Sequence, residues 1–92
     1  MKIIMPSKKR LEALRSLTPR KAVKTWLAGE FSVYEVSALY EAIRKDARIT
    51  LPDDELGDRL FGAMERRVSV DTCLAGLARA RSKSRRRAAR GR

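Results

Sequence analysis

The pattern of apolar and polar positions is helical over most of the chain. Apolar residues recur every three or four positions in five successive segments, and each segment follows a plausible helix start. Beyond the first five residues, the chain has no alternating pattern of apolar and polar residues that is typical of a strand. The pattern therefore predicts an all-α protein, a compact bundle of about five short helices.

The first two predicted helices have clear start signals. Ser7 is suited to cap the first helix, and Thr18 precedes Pro19, which fits the first helical position of the second. Gly29 is predicted to end the second helix in the left-handed conformation. The predicted inner faces are Leu11, Leu14 and Leu17 in the first helix and Ala22, Val23, Trp26 and Leu27 in the second.

The third predicted helix has the strongest local start signal in the sequence. Ser32 and Glu35 have the spacing of a capping box, and Phe31 and Val36 have that of a hydrophobic staple. We expect this helix to run to about Ala47. Its predicted buried face is Val33, Val36, Leu39, Tyr40 and Ile43.

Two further helices follow a connector at residues 48–52. Thr50 is predicted to cap the fourth helix, and Ser69 the fifth. Gly57 and Gly62 weaken the fourth helix unless they mark a close helix crossing. The predicted core positions are Leu56, Leu60, Phe61 and Met64 in the fourth helix and Val70, Leu74, Leu77 and Ala78 in the fifth.

Charge divides the chain into three parts. Its net charge is +11, with eight Lys/Arg and one acidic residue in residues 1–29, and eight Lys/Arg and no acidic residue in residues 72–92. Residues 30–71 carry ten acidic and six basic residues. We therefore expect a helical domain at 1–81 and a basic tail at 82–92, either disordered or ordered on a polyanion.

The composition argues against catalysis. The chain has no histidine, and its one cysteine, Cys73, falls on an apolar helix face, which favours a core role. Four carboxylates lie close together in the sequence, at Asp53, Asp54, Glu55 and Asp58. We interpret them as the start of a helix rather than as a cation site, because carboxylates at that end interact favourably with the helix dipole. We expect no enzyme activity, no cofactor, no metal site and no membrane span, in a cytoplasmic protein.

The cationic residues predict a polyanion partner. Counterion release from a nucleic acid is the expected source of binding free energy. Tyr34, which alternates away from the apolar stripe, is expected either to stack on a base or to lie in a protein interface. The predicted nucleic-acid-binding residues are Lys8, Lys9, Arg10, Arg15, Arg20, Lys21, Lys24, Arg66, Arg67, Thr72, Arg79, Arg81, Lys83, Arg85, Arg86, Arg87, Arg90 and Arg92.

The segment at residues 63–77 combines Ala63 with Val68, Ser69, Thr72 and Cys73. With these residues it resembles the helix-turn-helix of bacterial and phage DNA-binding proteins. The resemblance implies that Thr72 faces base edges or phosphate. Arg67 stands where the family has a turn glycine, Arg66 where an apolar residue is expected, and Gly76 where a larger core residue is normal.

Three functional hypotheses remain open from the sequence. The first is a small DNA-binding regulator of transcription or replication, of phage, plasmid or bacterial type. The second is a phage-type inhibitor that docks on a host protein or nucleoprotein complex. The third is a ribosome- or RNA-associated protein. A homodimer suits the first hypothesis, but the sequence does not show one.

Overall fold

Five α-helices make up the part of the chain that the structure, a computed structural model, describes. This part is residues 7–81, and it contains no β-strand. The all-α prediction is therefore confirmed there, whereas the proposed tail at 82–92 lies outside it. The helices are α1 (Lys8–Arg15), α2 (Pro19–Leu27), α3 (Val36–Ile43), α4 (Asp53–Arg66) and α5 (Val70–Arg79), with a 3₁₀ turn at Val33–Glu35.

Three predicted helix caps are confirmed by side-chain hydrogen bonds. The hydroxyl oxygen of Ser7 accepts from the Arg10 backbone N–H, with a donor–acceptor distance of 3.1 Å. Thr18 accepts from the Lys21 N–H at 3.2 Å, and Ser69 from the Thr72 N–H at 3.1 Å. Gly29, with a φ of 70°, adopts the left-handed conformation predicted for it.

Trp26 is the centre of the core. Its ring is fully buried in α2, the helix that packs against α3, α4 and α5. Phe31 stacks on it with ring centroids 4.4 Å apart, Tyr40 at 5.6 Å, and Phe61 meets it edge-on at 5.1 Å. Helix α1 packs on α3. The other fully buried large residues are Leu39, Ile43, Leu51, Leu56, Leu60, Leu77 and Val23.

The third helix differs from its prediction at both ends. The apolar spacing predicts Val33 in the core, but its side chain is 76% exposed. It begins a 3₁₀ turn, whose three residues per turn place its side chain off the α-helical face. The α-helix ends at Ile43 rather than near Ala47. Beyond it the chain tightens into turns, and the Asp46 carboxylate accepts the Arg48 backbone N–H at 3.0 Å.

Helix α4 corrects two predictions and confirms one. Thr50 does not cap it, because the N-cap position is Pro52, two residues later. The apolar pattern predicts Phe61 in the core, but Phe61 is 49% exposed and meets the Trp26 ring edge-on. Gly57 marks a close crossing, as a Cβ there would overlap the Tyr40 hydroxyl. Gly62 does not, because a Cβ there would meet only the Arg66 guanidinium, at 3.8 Å.

A tight turn joins α4 to α5. Arg67 adopts the left-handed conformation, with φ 55° and ψ 39°. The Val68 N–H donates to the Ala63 carbonyl and the Arg67 N–H to the Met64 carbonyl, both at 3.2 Å. This pair of bonds is the Schellman motif, which usually has glycine at the left-handed residue.

Replacing Arg67 with glycine is expected to stabilise the fold. A side chain in the left-handed region is strained by about 1 kcal/mol, and glycine removes that strain. We expect Arg67→Gly to raise the free energy of unfolding by about 0.5–1 kcal/mol in urea denaturation. The matched control Glu65→Gly, in the last turn of α4 where the backbone is right-handed, should lower it instead, by up to about 1 kcal/mol. Destabilisation by Arg67→Gly would contradict the turn conformation.

Candidate nucleic-acid interface

The cations of α1 divide into exposed and structural ones. Lys8 and Lys9 are exposed in the first turn and have no carboxylate within ion-pair distance among residues 7–81. Arg10 has a different role. Its Nε donates to Glu35 Oε2 at 2.8 Å, and its Nη2 donates to the Glu30 carbonyl at 3.1 Å. Arg10 therefore fastens α1 to the segment before α3.

Glu35 is the only charged residue that is buried in the described part of the chain. Besides the Arg10 guanidinium, its carboxylate accepts the Ser32 backbone N–H at 2.9 Å, which forms the predicted capping box. The hydrogen bond from Arg10 is the main reason that the pKa of Glu35 lies below its ordinary value, with the Ser32 bond second. The buried carboxylate is thus held in its charged form.

The lowered pKa of Glu35 predicts loss of stability in acid. A carboxyl group whose pKa is lower in the folded state stabilises the fold above its ordinary pKa, and that contribution disappears as the pH falls through the lowered value. Glu35→Gln keeps the acceptor for Ser32 but removes the charge. We expect it to lower the free energy of unfolding by about 1 kcal/mol at pH 7 and to make little difference at pH 2. Urea titrations at the two pH values measure the free energy of unfolding of both chains. An equal loss of stability at pH 7 and pH 2 would contradict this role of Glu35.

Two more predicted contacts are engaged in ion pairs. Arg15 Nε donates to Glu41 Oε2 at 3.0 Å, and Arg20 pairs with Asp71 across α2 and α5. All four side chains are exposed, so each pair contributes little to stability and is easily exchanged. A phosphate that used either arginine would compete with its carboxylate partner.

The remaining predicted residues are exposed. Lys21 and Lys24 lie on the outer side of α2, and Arg66 and Arg67 at the end of α4, all without a carboxylate partner in residues 7–81. Thr72 is exposed, and its Oγ1 accepts the Ser69 hydroxyl at 2.9 Å. Arg79 and Arg81 are exposed at the end of α5. Lys83, Arg85, Arg86, Arg87, Arg90 and Arg92 lie outside the described residues.

A concave site that the sequence reasoning missed lies between α4 and α5. The cavity has a volume of about 200 Å³, and Arg59, Arg66 and Arg79 line it together with Thr72 and Gly76. Arg59 was not among the predicted residues. The signal that indicates it is its spacing of seven residues from Arg66, which puts both on one face of α4.

Cys73 also lines this cavity, in a state that does not favour nucleophilic chemistry. Burial raises the pKa of its thiol, and Arg66 opposes that shift only in part. A buried thiol of raised pKa is protonated at neutral pH and is a weak nucleophile. Within residues 7–81 no cluster of three His, Cys, Asp or Glu side chains is arranged to hold a metal ion. None of the helices described is both long and apolar enough to span a membrane.

Comparison with protein-family models, with curated proteins and with solved structures gives no match to this chain. The surface of the molecule therefore carries the functional argument. That surface has exposed cations on α1 and α2, a second group where α4 meets α5, and a basic run that begins at Arg79.

Proposed function

We propose that this chain is a small helical nucleic-acid-binding protein, a DNA-binding regulator of phage, plasmid or bacterial type. The observation that carries the proposal is the imbalance of charge at its surface. The acidic side chains engage Arg10, Arg15 and Arg20, yet leave the neighbouring lysines of α1 and α2 without carboxylate partners in residues 7–81. From residue 79 onward the sequence adds eight Lys/Arg and no acid.

The preference for DNA rests on the connection between α4 and α5. Three residues join the helices, and the left-handed Arg67 occupies the position where the helix-turn-helix family has its turn glycine. In that family the second helix enters the major groove with its N-terminal residues near the bases. On this proposal Thr72, in the first turn of α5, lies near bases, and Arg66 and Arg67 contact phosphates.

A mobility-shift titration of the full chain tests the proposal. The probes are a mixed-sequence DNA duplex and an RNA hairpin of equal phosphate number, each at 50 and 200 mM salt. We expect a complex with the duplex at the lower salt and a loss of affinity of about 10³-fold or more at the higher salt. No complex with either probe would contradict the proposal, and binding to the hairpin alone would replace DNA with RNA.

Docking on a host protein is the second candidate function. The observation that favours it is an exposed apolar pair, Val33 at 76% and Tyr34 at 47% exposure, in the 3₁₀ turn before α3. Neither side chain is buried in the core, so core packing does not explain why these two positions are apolar. A stoichiometric partner that survives nuclease in a lysate and is lost with Val33→Asp would favour this candidate over DNA binding.

A further inference from the structure

The cavity between α4 and α5 combines three features of an anion site. Three arginines line it, and the described residues around it include no acidic side chain. Ala63, Val68 and Leu77 give it an apolar floor. Charge interactions strengthen beside apolar surface because the local dielectric is lower. The arginine fork also matches the paired oxygens of a phosphate.

The guanidinium groups around the cavity are available to a ligand. Neither Arg59, Arg66 nor Arg79 forms a side-chain hydrogen bond or an ion pair within residues 7–81. Glu55 and Asp58 line a neighbouring cavity that Arg59 and Arg66 also border, and among residues 7–81 no acidic residue lines the cavity that faces α5. An approaching anion is therefore favoured on the α5 side of these two arginines.

Gly76 keeps the cavity open. A Cβ at this position would meet no atom within 4 Å, so the space beside it is empty. A volume of about 200 Å³ is several times the ~30 Å³ that liquid water gives each molecule, which leaves room for a phosphate group with some of its hydration. The departure from the helix-turn-helix pattern at Gly76 thus creates a space where that family has a core side chain.

We infer that this cavity is a phosphate site, formed by Arg59, Arg66 and Arg79, which seats one backbone phosphate of the bound nucleic acid. The inference rests on the proposed function and adds to it a fixed contact on the folded domain. Such a contact sets the register of the duplex against α5, whereas a run of basic side chains does not.

A substitution that fills the cavity without changing any charge tests the inference. Gly76→Leu places an isobutyl group in the empty space, and leucine favours the helix over glycine, so the fold should persist. The matched control is Ala75→Leu, because residue 75 is exposed on the same helix and does not line the cavity. Far-UV circular dichroism checks that both full-length variants are folded.

Two readouts separate the possible outcomes. In duplex titrations we expect Gly76→Leu to lower affinity about tenfold and to flatten the slope of log K against log salt by about 1, the value for one lost phosphate contact. Ala75→Leu should stay within twofold of the parent chain. In nitrogen-15 NMR titrations with inorganic phosphate, the parent chain should show shifts at Thr72 and Cys73, which both line the cavity, and Gly76→Leu should abolish them.

The opposite results overturn the inference. Equal duplex affinity for the two leucine variants would show that no backbone phosphate occupies the cavity. If inorganic phosphate still shifts these signals only in the parent chain, the site takes a free phosphate instead. Phosphate shifts that survive Gly76→Leu would exclude a site in the cavity. Failure of the proposed function itself is distinct, because the parent chain would then bind no duplex at all.

Discussion

Deleting residues 82–92 is expected to weaken binding of duplex DNA by at least about 100-fold at 50 mM salt. The deletion removes six Lys/Arg and no acidic residue. If each of these cations neutralises one phosphate, the slope of log K against log salt should flatten by about 5. The folded domain keeps the cations of α1, α2 and the α4–α5 junction, so a weaker complex should remain.

A second variant separates charge from chain length. The full-length chain with Lys83, Arg85, Arg86, Arg87, Arg90 and Arg92 all changed to glutamine keeps the length of the parent. It should bind as weakly as the deletion and with the same slope, because counterion release depends on charge. If the glutamine variant binds like the parent chain, the tail does not contribute through its charge. Fluorescence anisotropy with a labelled duplex measures both the affinity and the slope of log K against log salt.

Trp26→Ala should cause the largest loss of stability of any single core substitution. The ring is fully buried and contacts Phe31, Tyr40 and Phe61, so its removal leaves a cavity where α2, α3 and α4 meet. Truncation of a buried tryptophan costs about 3–5 kcal/mol. Small domains have total stabilities near the low end of about 5–15 kcal/mol, so this variant should be close to unfolding.

Phe61→Ala is the matched control in the same aromatic cluster. Phe61 is half exposed, and we expect its loss to cost about 1–2 kcal/mol. Urea unfolding followed by far-UV circular dichroism measures both variants without relying on tryptophan fluorescence. Equal losses would contradict the central position of Trp26.

The indole nitrogen of Trp26 adds a detail to this prediction. Nε1 is buried and has no hydrogen-bond partner within the described residues. A buried donor without a partner costs about 1–3 kcal/mol. Trp26→Phe removes that donor together with part of the ring, so it should be much less harmful than Trp26→Ala.

Local signals explain why the helices could be predicted from the sequence. Ser7, Thr18 and Ser69 cap helices through bonds to backbone three residues ahead, and Gly29 ends one through its own backbone freedom. Each of these interactions joins residues only a few positions apart, so the local sequence is enough to predict it. The apolar stripe of α2 is predicted equally well, because a regular helix fixes which positions share a face, and Ala22, Val23 and Trp26 are buried. Of the face predicted for α5, Leu77 is buried, whereas Val70, Leu74 and Ala78 are only partly buried.

The errors arose where the helix is not regular or where tertiary packing decides. The α-helical spacing predicts a buried Val33, but the 3₁₀ turn changes the angle between successive side chains and leaves Val33 exposed. The partial exposure of Phe61 depends on how far α2 covers α4, which no local pattern records. The ion pairs of Arg10, Arg15 and Arg20 join residues 25, 26 and 51 positions apart. Because no local pattern reveals such pairs, the sequence predicts these three arginines as free cations.

The site between α4 and α5 also depends partly on local sequence and partly on tertiary packing. The spacing of Arg59 and Arg66 is visible in the sequence, but Arg79 lines the same cavity only because the turn at Arg67 brings α5 into contact with α4. The empty space beside Gly76 is likewise a property of packing. The sequence indicated which residues are cationic, and the fold selects those that face one cavity.

The central claim is that nucleic acid, rather than an acidic protein surface, is the partner of these cations. Competition against a labelled DNA duplex bound to the full chain at 50 mM salt tests it most directly. Unlabelled duplex and polyglutamate are added at equal total charge; duplex DNA carries one charge per about 1.7 Å and therefore releases more counterions on binding. The account predicts that the duplex displaces the label at a concentration at least about tenfold lower. Displacement by both polymers at the same concentration would contradict it.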